Sequence, residues 1–417
     1  MHGAAGGYVR AAQATENGVN GANGANGGGR ASTLTYEDPW LQQLVSGALV
    51  PKRMPNDFEK IKDSIYTVED WKKHISIGRY FRHLETMPTS RTVRSLLLPS
   101  AISFGQTCAI AAYAWYHPAS WPELPGVSQD IFNLTGPILS LLLVFRTDAS
   151  YTRWDEARKQ FGELIFKSRN LLRQGLVSFQ GSDEWTSLLV RWTVVFGVIL
   201  KLHLREDVRL DVLQIELAGW LNDKEMRILA AAENAPNYCL QVLSHIVRRA
   251  PPGQQVTLDQ NLEAFEEVLG RCERINRVPI PLSYTRHTSR FLITWLLLLP
   301  LGLWNSVHEE AFFLSPLATF FILGVDQIGV QLEQPFWVLP LDILVNKIKY
   351  NAAELVRKNA ETEQLVIDSQ QFGRELAEAA AQGDPCLDDG EPCDIKYTSR
   401  APSTSSGAGE SKSHSAP

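Results

Sequence analysis

The chain has 417 residues, of which 44% are hydrophobic and 21% charged, and its formal net charge is −6. This acidic balance argues against a general nucleic-acid binder, and five cysteines are too few for a disulfide scaffold. Cys108, Cys239 and Cys272 lie in apolar or helical contexts and are predicted to be reduced, buried thiols. Cys386 and Cys393 flank an acidic stretch and belong either to a free tail or, less favoured, to a redox pair.

Both ends of the chain are low in complexity. Residues 1–33 are rich in Gly and contain an Asn-Gly-Ala repeat, a composition that cannot bury enough apolar surface to offset the entropy of ordering. This segment also loosely resembles part of an organelle transit peptide. Residues 383–417 are rich in Pro, Ser, Gly and acids. We predict that both ends are disordered.

Four uncharged apolar runs lie between these ends, arranged as two pairs: 95–116, 131–145, 291–307 and 311–325. A bilayer core of about 30 Å requires roughly 20 helical residues. The first run is long enough alone, and the shorter ones must extend through their polar ends. We therefore predict two transmembrane helical hairpins, at 95–146 and 287–333. Four buried helices of a large soluble protein are the alternative interpretation.

Basic residues lie on one side of both hairpins. The connector 117–130 contains no Lys or Arg, whereas cations flank the hairpins at Lys72, Lys73, Arg79, Arg82, Arg91, Arg94, Arg286, Arg290, Lys347 and Lys349. By the positive-inside rule, both hairpins enter from one compartment and return to it. Both termini then share that compartment with the region between the hairpins. The segment 60–94 is predicted to form amphipathic, interfacial helices.

The region 147–286 is predicted to be a water-facing, extramembrane bundle of helices, because apolar residues recur at three- and four-residue spacing among charges. Residues 187–203 are more apolar but include Arg191 and Lys201. A buried helix of the bundle is the favoured interpretation, and a fifth span is the alternative. Residues 334–382 predict a C-terminal helical region with a long amphipathic helix. The fold class is therefore an all-α membrane protein.

The sequence contains none of the common catalytic motifs: no P-loop, no Gly-rich dinucleotide turn, no HExxH and no CxxC. The nine histidines are scattered, without the spacing of metal ligands. We therefore predict neither an enzyme nor a metal site.

The second apolar run carries Pro137, Leu141 and Phe145 at four-residue intervals, hence on one helix face. Four helices are too few to enclose a pore, but in a ring of identical chains this face would form an apolar constriction. Ordinary helix packing is the alternative on spacing alone. The basic residues Arg146, Arg153 and Arg158 follow. They would either concentrate anions at the inner end of a pore or anchor the helix by pairing with Asp148, Asp155 or Glu156.

Three stretches resemble motifs of the bestrophin family. They are residues 137–158, which contain Arg153-Trp154; residues 279–291, which begin Pro-Ile-Pro-Leu-Ser-Tyr; and residues 329–336, which end Gln-Pro-Phe. The similarity extends over roughly 60–370, and is greatest to thylakoid bestrophin-like proteins of plants and algae. That group includes voltage-dependent chloride channels and algal proteins linked to bicarbonate delivery. The resemblance implies a homopentamer with four transmembrane helices per protomer, an extramembrane helical bundle and one central pore.

The resemblance also implies roles for particular residues. Phe145 and Leu141 match two positions of the pore neck, the third falls at Pro137 or Ile138, and a second constriction falls near Tyr238. The implied function is passive, voltage-gated chloride flux across the thylakoid membrane that balances the proton motive force, with both termini in the stroma. Nitrate and bicarbonate are further candidate permeant ions. The alternatives are a bicarbonate channel supplying the lumen and a non-conducting membrane scaffold.

Animal bestrophins follow the Pro-Phe motif with an acidic run that binds calcium. In this chain Pro335-Phe336 leads to Asp342 as the one following carboxylate, with Glu333 just before the motif. Calcium requires about six to eight oxygen ligands, several of them usually carboxylates. We therefore expect no cofactor and calcium-independent opening.

Overall fold

The computed structural model describes residues 36–50, 68–116 and 127–381, so the predicted disordered ends and residues 60–67 lie outside them. All regular structure in the described residues is helical and none is strand, which confirms the all-α prediction. In chain order the helices are α1 (Pro39–Ser46), α2 (Val68–Ile75), α3 (Arg79–Glu85), α4 (Arg91–Tyr116), α5 (Gln129–Ser178), α6 (Asp183–Leu204), α7 (Leu210–Glu216), α8 (Asp223–Ala231), α9 (Ala235–Val247), α10 (Pro252–Arg277), α11 (Leu282–Val307), α12 (Ala311–Glu333), α13 (Pro335–Val338) and α14 (Leu341–Ala381).

Four helical stretches of the described chain are long and apolar enough to cross a membrane: Thr92–Tyr116, Gln129–Ser178, Asp183–Leu204 and Leu282–Glu333. The third, helix α6, differs because 83% of its apolar window is buried inside the protein, against 17–22% in the others. This burial favours the interpretation of α6 as a core helix of the bundle. The last stretch contains two helices, α11 and α12, which meet at His308 with a φ of 47°. The helices that fit membrane spans are thus α4, the first half of α5, α11 and α12, and they are called the spans below.

The four spans pack through apolar and small polar side chains. Phe132, Leu139 and Leu143 of α5 form a buried cluster with three leucines of α11. Between α4 and α12, the hydroxyl oxygens of Ser103 and Ser315 lie 2.7 Å apart, and Thr319 donates to Ser103 at 3.0 Å. Hydroxyl pairs of this kind stabilise helix contacts in a membrane, where water cannot satisfy them.

Helix α5 runs without interruption from the membrane into the bundle. The sequence predicts a domain boundary after residue 146, whereas α5 crosses this position and is 50 residues long in all, from Gln129 to Ser178. No Gly or Pro interrupts residues 146–161. The hydroxyls of Thr147 and Thr152 donate back to the carbonyls of Leu143 and Asp148 and so are satisfied within the helix. At 1.5 Å per residue the helix is about 75 Å long.

The bundle is built around α6, which packs against α1, α5, α9 and α10 and contacts α14 through Lys201 and Asp342. The rings of Phe196 and Phe265 stack with centroids 4.9 Å apart. Helix α1 is part of the same core, because Leu41 and Leu44 are fully buried and Arg357 of α14 donates to the carbonyls of Val45 and Val50. From Glu361 onwards α14 belongs to a second unit, in which Leu365, Phe372 and Leu376 are exposed.

The cysteines of the bundle are free, buried thiols, as predicted. Burial raises the pKa of both Cys239 and Cys272, the latter to about 12 with a further contribution from Glu156 and Glu273. Cys108 in α4 is also free but only partly buried. Cys386 and Cys393 lie outside the described residues.

Candidate functional site

The face of α5 that carries Pro137, Leu141 and Phe145 is called here the neck face, and it points away from the protomer's own core. Leu141 and Phe145 are 54% and 56% exposed, and Ile138 lies exposed at the flank of the same surface. The opposite side of the helix carries the buried Leu139 and Leu143. The described part of one chain therefore leaves an apolar surface uncovered, so the neck face is not used for packing inside the protomer.

The back of the same helix segment is held by polar contacts from two other spans. The Tyr284 hydroxyl of α11 donates to the Leu142 carbonyl at 2.8 Å, between the neck residues Leu141 and Phe145. Arg146 forms an ion pair with Asp326 of α12 and donates to the Ser289 hydroxyl at 3.2 Å. These contacts fix the rotation of α5 about its axis, and thereby the direction in which the neck face points.

Arg146 lies on the buried side of α5, with 5% of its surface exposed. Its carboxylate partner is Asp326, 180 residues away, and not Asp148, Asp155 or Glu156. The ion pair supports the alternative in which Arg146 anchors the helix by pairing with a carboxylate, but the carboxylate is a different one from those predicted. A charge buried in a membrane-spanning helix is costly unless it is paired, which explains the pairing with Asp326.

Arg153 is also engaged inside the protomer. Its guanidinium donates to the carbonyls of Ile275 at 2.5 Å, Val278 at 2.6 Å and Glu333 at 3.2 Å, at the ends of α10 and α12. The last carbonyls of a helix have no partner within the helix, and a cation there also interacts favourably with the helix dipole. Arg153 therefore joins the end of a bundle helix to the end of a membrane helix.

Arg158 differs from the other two arginines. It lies one turn further along α5, is partly exposed, and forms no ion pair within the described residues. Its neighbour Lys159 is paired with Asp155 at 2.5 Å. Of the three predicted basic residues, Arg158 is therefore the one whose charge faces solvent unpaired in the described chain.

Tyr238 lies on α9, where its partly buried side chain packs against the bundle core. Its role as a second constriction depends on neighbouring chains and stays a prediction. Sequence reasoning missed the contacts of Tyr284, Ser289 and Asp326 behind the neck face. The signal was available for Asp326, because a carboxylate next to an apolar run of a spanning helix usually has a partner.

Both oxygens of the Asp342 carboxylate are engaged by cations. Lys201, which is 2% exposed, lies 2.9 Å from one oxygen, and Arg205 lies 3.1 Å from the other. Burial alone would raise the pKa of Asp342, but hydrogen bonds and charge interactions with Lys201 and Arg205 lower it below its usual value. In the described part of the chain no three His, Cys, Asp or Glu side chains group as metal ligands would.

Residues 70–354 match the family model described as Bacterial/Fungal Bestrophin protein. The chain belongs to the bestrophin family. Among bestrophin relatives, voltage-dependent chloride channel 1, chloroplastic, of Arabidopsis thaliana is 34% identical over 312 residues, which cover 71% of this chain and 74% of the relative. Channel 2 of the same plant is 31% identical, covering 77% and 80%.

The solved structures agree with this assignment. A bacterial bestrophin homolog from Klebsiella pneumoniae matches at 25% identity with a TM-score of 0.56, covering 64% of this chain and 99% of that chain. A voltage-dependent anion channel-forming protein of Nostoc is 31% identical over 247 residues, covering 55% of this chain and 78% of the relative. The predicted resemblance is therefore confirmed, and these bestrophin relatives support an anion channel rather than an enzyme.

Proposed function

We propose that the chain forms an anion channel in which five copies surround one pore lined by the neck face of α5. The observation that carries this proposal is the exposed apolar surface of Pro137, Leu141 and Phe145, held in orientation by Tyr284 and Arg146 from behind. Around a common axis, identical helices would present rings of these side chains, with Ile138 at the rim. A narrow apolar ring can gate by dewetting.

The neck chemistry favours chloride and other weakly hydrated anions. An ion that enters the neck loses part of its hydration shell, and an apolar wall has no polar groups to replace those water molecules. Ions that hold their hydration shell less tightly therefore pass more readily. Arg158 lies 13 residues beyond Phe145 on the same helix, which places it on the side of α5 opposite Phe145, so it does not line the proposed pore. The chloroplastic names of the Arabidopsis relatives support a place in a chloroplast membrane. Within the chloroplast we assign the channel to the thylakoid membrane, with both termini in the stroma and voltage-dependent chloride flux balancing the proton motive force.

We also propose opening without calcium. Asp342 follows the Pro-Phe motif, and both of its oxygens already bind Lys201 and Arg205. A calcium ion would have to displace two cations and recruit several further oxygens. Currents that persist in EGTA and do not change on adding calcium are the expected result, and currents that require calcium would contradict it.

A non-conducting scaffold is the second candidate, since Leu365, Phe372 and Leu376 are exposed on the last part of α14 and would suit a protein partner. Recording from the purified protein in planar bilayers separates the candidates. Chloride-selective current supports the channel, and its absence supports the scaffold. Reversal potentials measured in opposed chloride and bicarbonate gradients test whether bicarbonate also passes. The same measurement with nitrate instead of bicarbonate tests the permeation of nitrate.

The pore assignment is tested by the double variant Leu141→Ala/Phe145→Ala. Widening the constriction should raise unitary conductance and weaken discrimination among anions. The matched control is Leu98→Ala/Phe313→Ala, which truncates the same residue types at exposed positions of α4 and α12. If the two double variants conduct alike, the neck face does not line the pore.

A further inference from the structure

The neck face of α5 continues towards the bundle as a strip of polar side chains. At about 100° per residue, the three residues of the neck face occupy an arc of about 80° around the helix. Asp148 and Thr152 follow Phe145 on the same unbroken helix, and the same rotation places both within this arc. Both side chains are exposed in the described chain. They are therefore the next residues that would face the axis beyond Phe145.

The burial pattern of α5 supports this register. Arg146, Ser150 and Ala157 lie on the far side of the helix from the strip, and all three are buried. Asp148 and Thr152 alternate with them at helical spacing and stay exposed. The described part of one chain therefore leaves the strip uncovered, as it leaves the neck face uncovered.

Asp148 carries the unbalanced charge of this strip. Within the described residues it forms no ion pair, and its carboxylate has no hydrogen-bond partner. The next charged residues along the strip, Asp155 and Lys159, neutralise each other at 2.5 Å. Glu156, beside the strip, is paired with Arg274. The charge that follows the neck is therefore negative, in a chain that resembles anion channels.

Thr152 does not offset the charge of Asp148. Its hydroxyl donates to the Asp148 backbone carbonyl at 3.0 Å. A hydroxyl has one hydrogen to donate, so towards solvent the Thr152 oxygen is left as an acceptor. Neither residue that follows the neck face thus offers a hydrogen-bond donor or a positive charge to an anion.

We propose that Asp148 limits the anion selectivity of the channel. The inference rests on the proposed function, because five chains around one axis would place five Asp148 carboxylates in a ring about 4.5 Å beyond Phe145 along α5. Acidic rings favour cations in a pore, and basic rings favour anions. The Asp148 ring lowers the anion concentration and raises the cation concentration at its end of the neck, so that chloride passes with an accompanying leak of cations.

Asp148→Asn in the full-length protein tests the proposal in planar bilayers. Reversal potentials in potassium chloride gradients give the permeability ratio of chloride to potassium. Removing five charges next to the neck should raise this ratio roughly threefold or more at a mean ionic strength of about 0.05 M, where charges are weakly screened. The gain should vanish near 1 M salt, where the Debye length is about 3 Å. Asp148→Glu, which keeps the charge, should show no such gain.

The matched control is Asp259→Asn, which removes an exposed carboxylate of α10 that forms no ion pair within the described residues. It should leave the permeability ratio unchanged. An equal gain in this control would overturn the proposal, by showing that only total charge matters. A gain that persists near 1 M salt would also overturn it, because a change of structure and not the field of the carboxylate would then be responsible.

Two further outcomes separate this inference from the proposed function. If the wild type conducts and Leu141→Ala/Phe145→Ala alters conduction, an unchanged ratio in Asp148→Asn would overturn the role of Asp148 and leave the pore assignment standing. Loss of the oligomer in Asp148→Asn would overturn it too, because the carboxylate would then pair with a neighbouring chain. A wild-type protein that carries no current would overturn both proposals.

Discussion

The hydroxyl of Tyr284 contacts α5 from behind and is not part of the neck face. Removing it therefore tests how the neck face is held in position, without changing the residues that would line the pore. Tyr284→Phe removes the donor to the Leu142 carbonyl but keeps the ring. The loss of one hydrogen bond costs about 1 kcal/mol. We expect the assembled protein to remain stable, while open probability or anion selectivity changes because α5 gains rotational freedom next to Leu141.

The control for this prediction is Tyr116→Phe, at an exposed position near the end of α4. Single-channel recording and thermal melts of both variants provide the comparison. A Tyr284→Phe channel that matches the Tyr116→Phe channel in gating and selectivity would show that the hydrogen bond does not set the orientation of the neck.

The buried pair Arg146–Asp326 makes a second prediction at the scale of single residues. Asp326→Ala leaves the guanidinium of Arg146 without its carboxylate, and breaking one side of a buried pair typically costs about 3–5 kcal/mol. Replacing both partners, as in Arg146→Met/Asp326→Leu, should be far less destabilising. Thermal stability of the purified single and double variants gives the coupling energy. A double variant as unstable as Asp326→Ala would argue against the pair as the source of stability.

Among the elements, the contact between α6 and α14 should make the bundle sensitive to acid. Lys201 and Arg205 lower the pKa of Asp342 although its burial opposes this. A carboxyl group whose pKa is lower in the folded state stabilises the fold above its unfolded pKa of about 3.9, and that contribution is lost as the pH falls through the folded pKa.

Asp342→Asn should therefore lower the melting temperature at neutral pH and flatten its decline below about pH 5. Melting curves over a pH series provide the measurement. Asp259→Asn is the control, since Asp259 is exposed on α10 and forms no ion pair within the described residues. Parallel pH profiles for wild type and Asp342→Asn would show that this contact does not carry the acid sensitivity.

At the scale of the whole molecule, the proposal requires assembly. Five chains of 46.6 kDa each should migrate together in detergent and in nanodiscs. Mass photometry and native mass spectrometry measure this directly. A protein that stays monomeric in both environments could not enclose a pore with one α5 helix per chain, and the channel proposal would fail.

Much of the fold could be predicted from local patterns. The runs 95–116 and 291–307 are uncharged over lengths that suit a bilayer, and the cations on one side of each hairpin indicate the topology. Arg191 and Lys201 favoured a buried α6 over a fifth span, because charged residues are rare in membrane-spanning helices. The structure pairs Lys201 with Asp342 and Arg191 with Glu225. In each case the information lies within one helix.

What the sequence did not reveal depends on contacts between distant residues. Arg146 had three carboxylates nearby in sequence, yet its partner Asp326 lies on another helix. The continuity of α5 also escaped prediction, since a change from apolar to charged residues indicates a change of environment and not the end of a helix. The burial of α1 depends on Arg357 and on the core of the bundle, which no local pattern near residue 40 indicates.

The unbroken length of α5 has a mechanical consequence. Arg146 and Arg153 fasten the helix near its middle, so that it can act as a lever with one arm at Leu141 and the other at Val177. The longer arm extends about 45 Å beyond Arg146. A small tilt imposed at the distant end would shift the proposed constriction in the opposite direction. Because Leu164, Leu171 and Leu176 pack this part of α5 into the bundle core, a displacement of the bundle would reach Leu141 through one continuous helix.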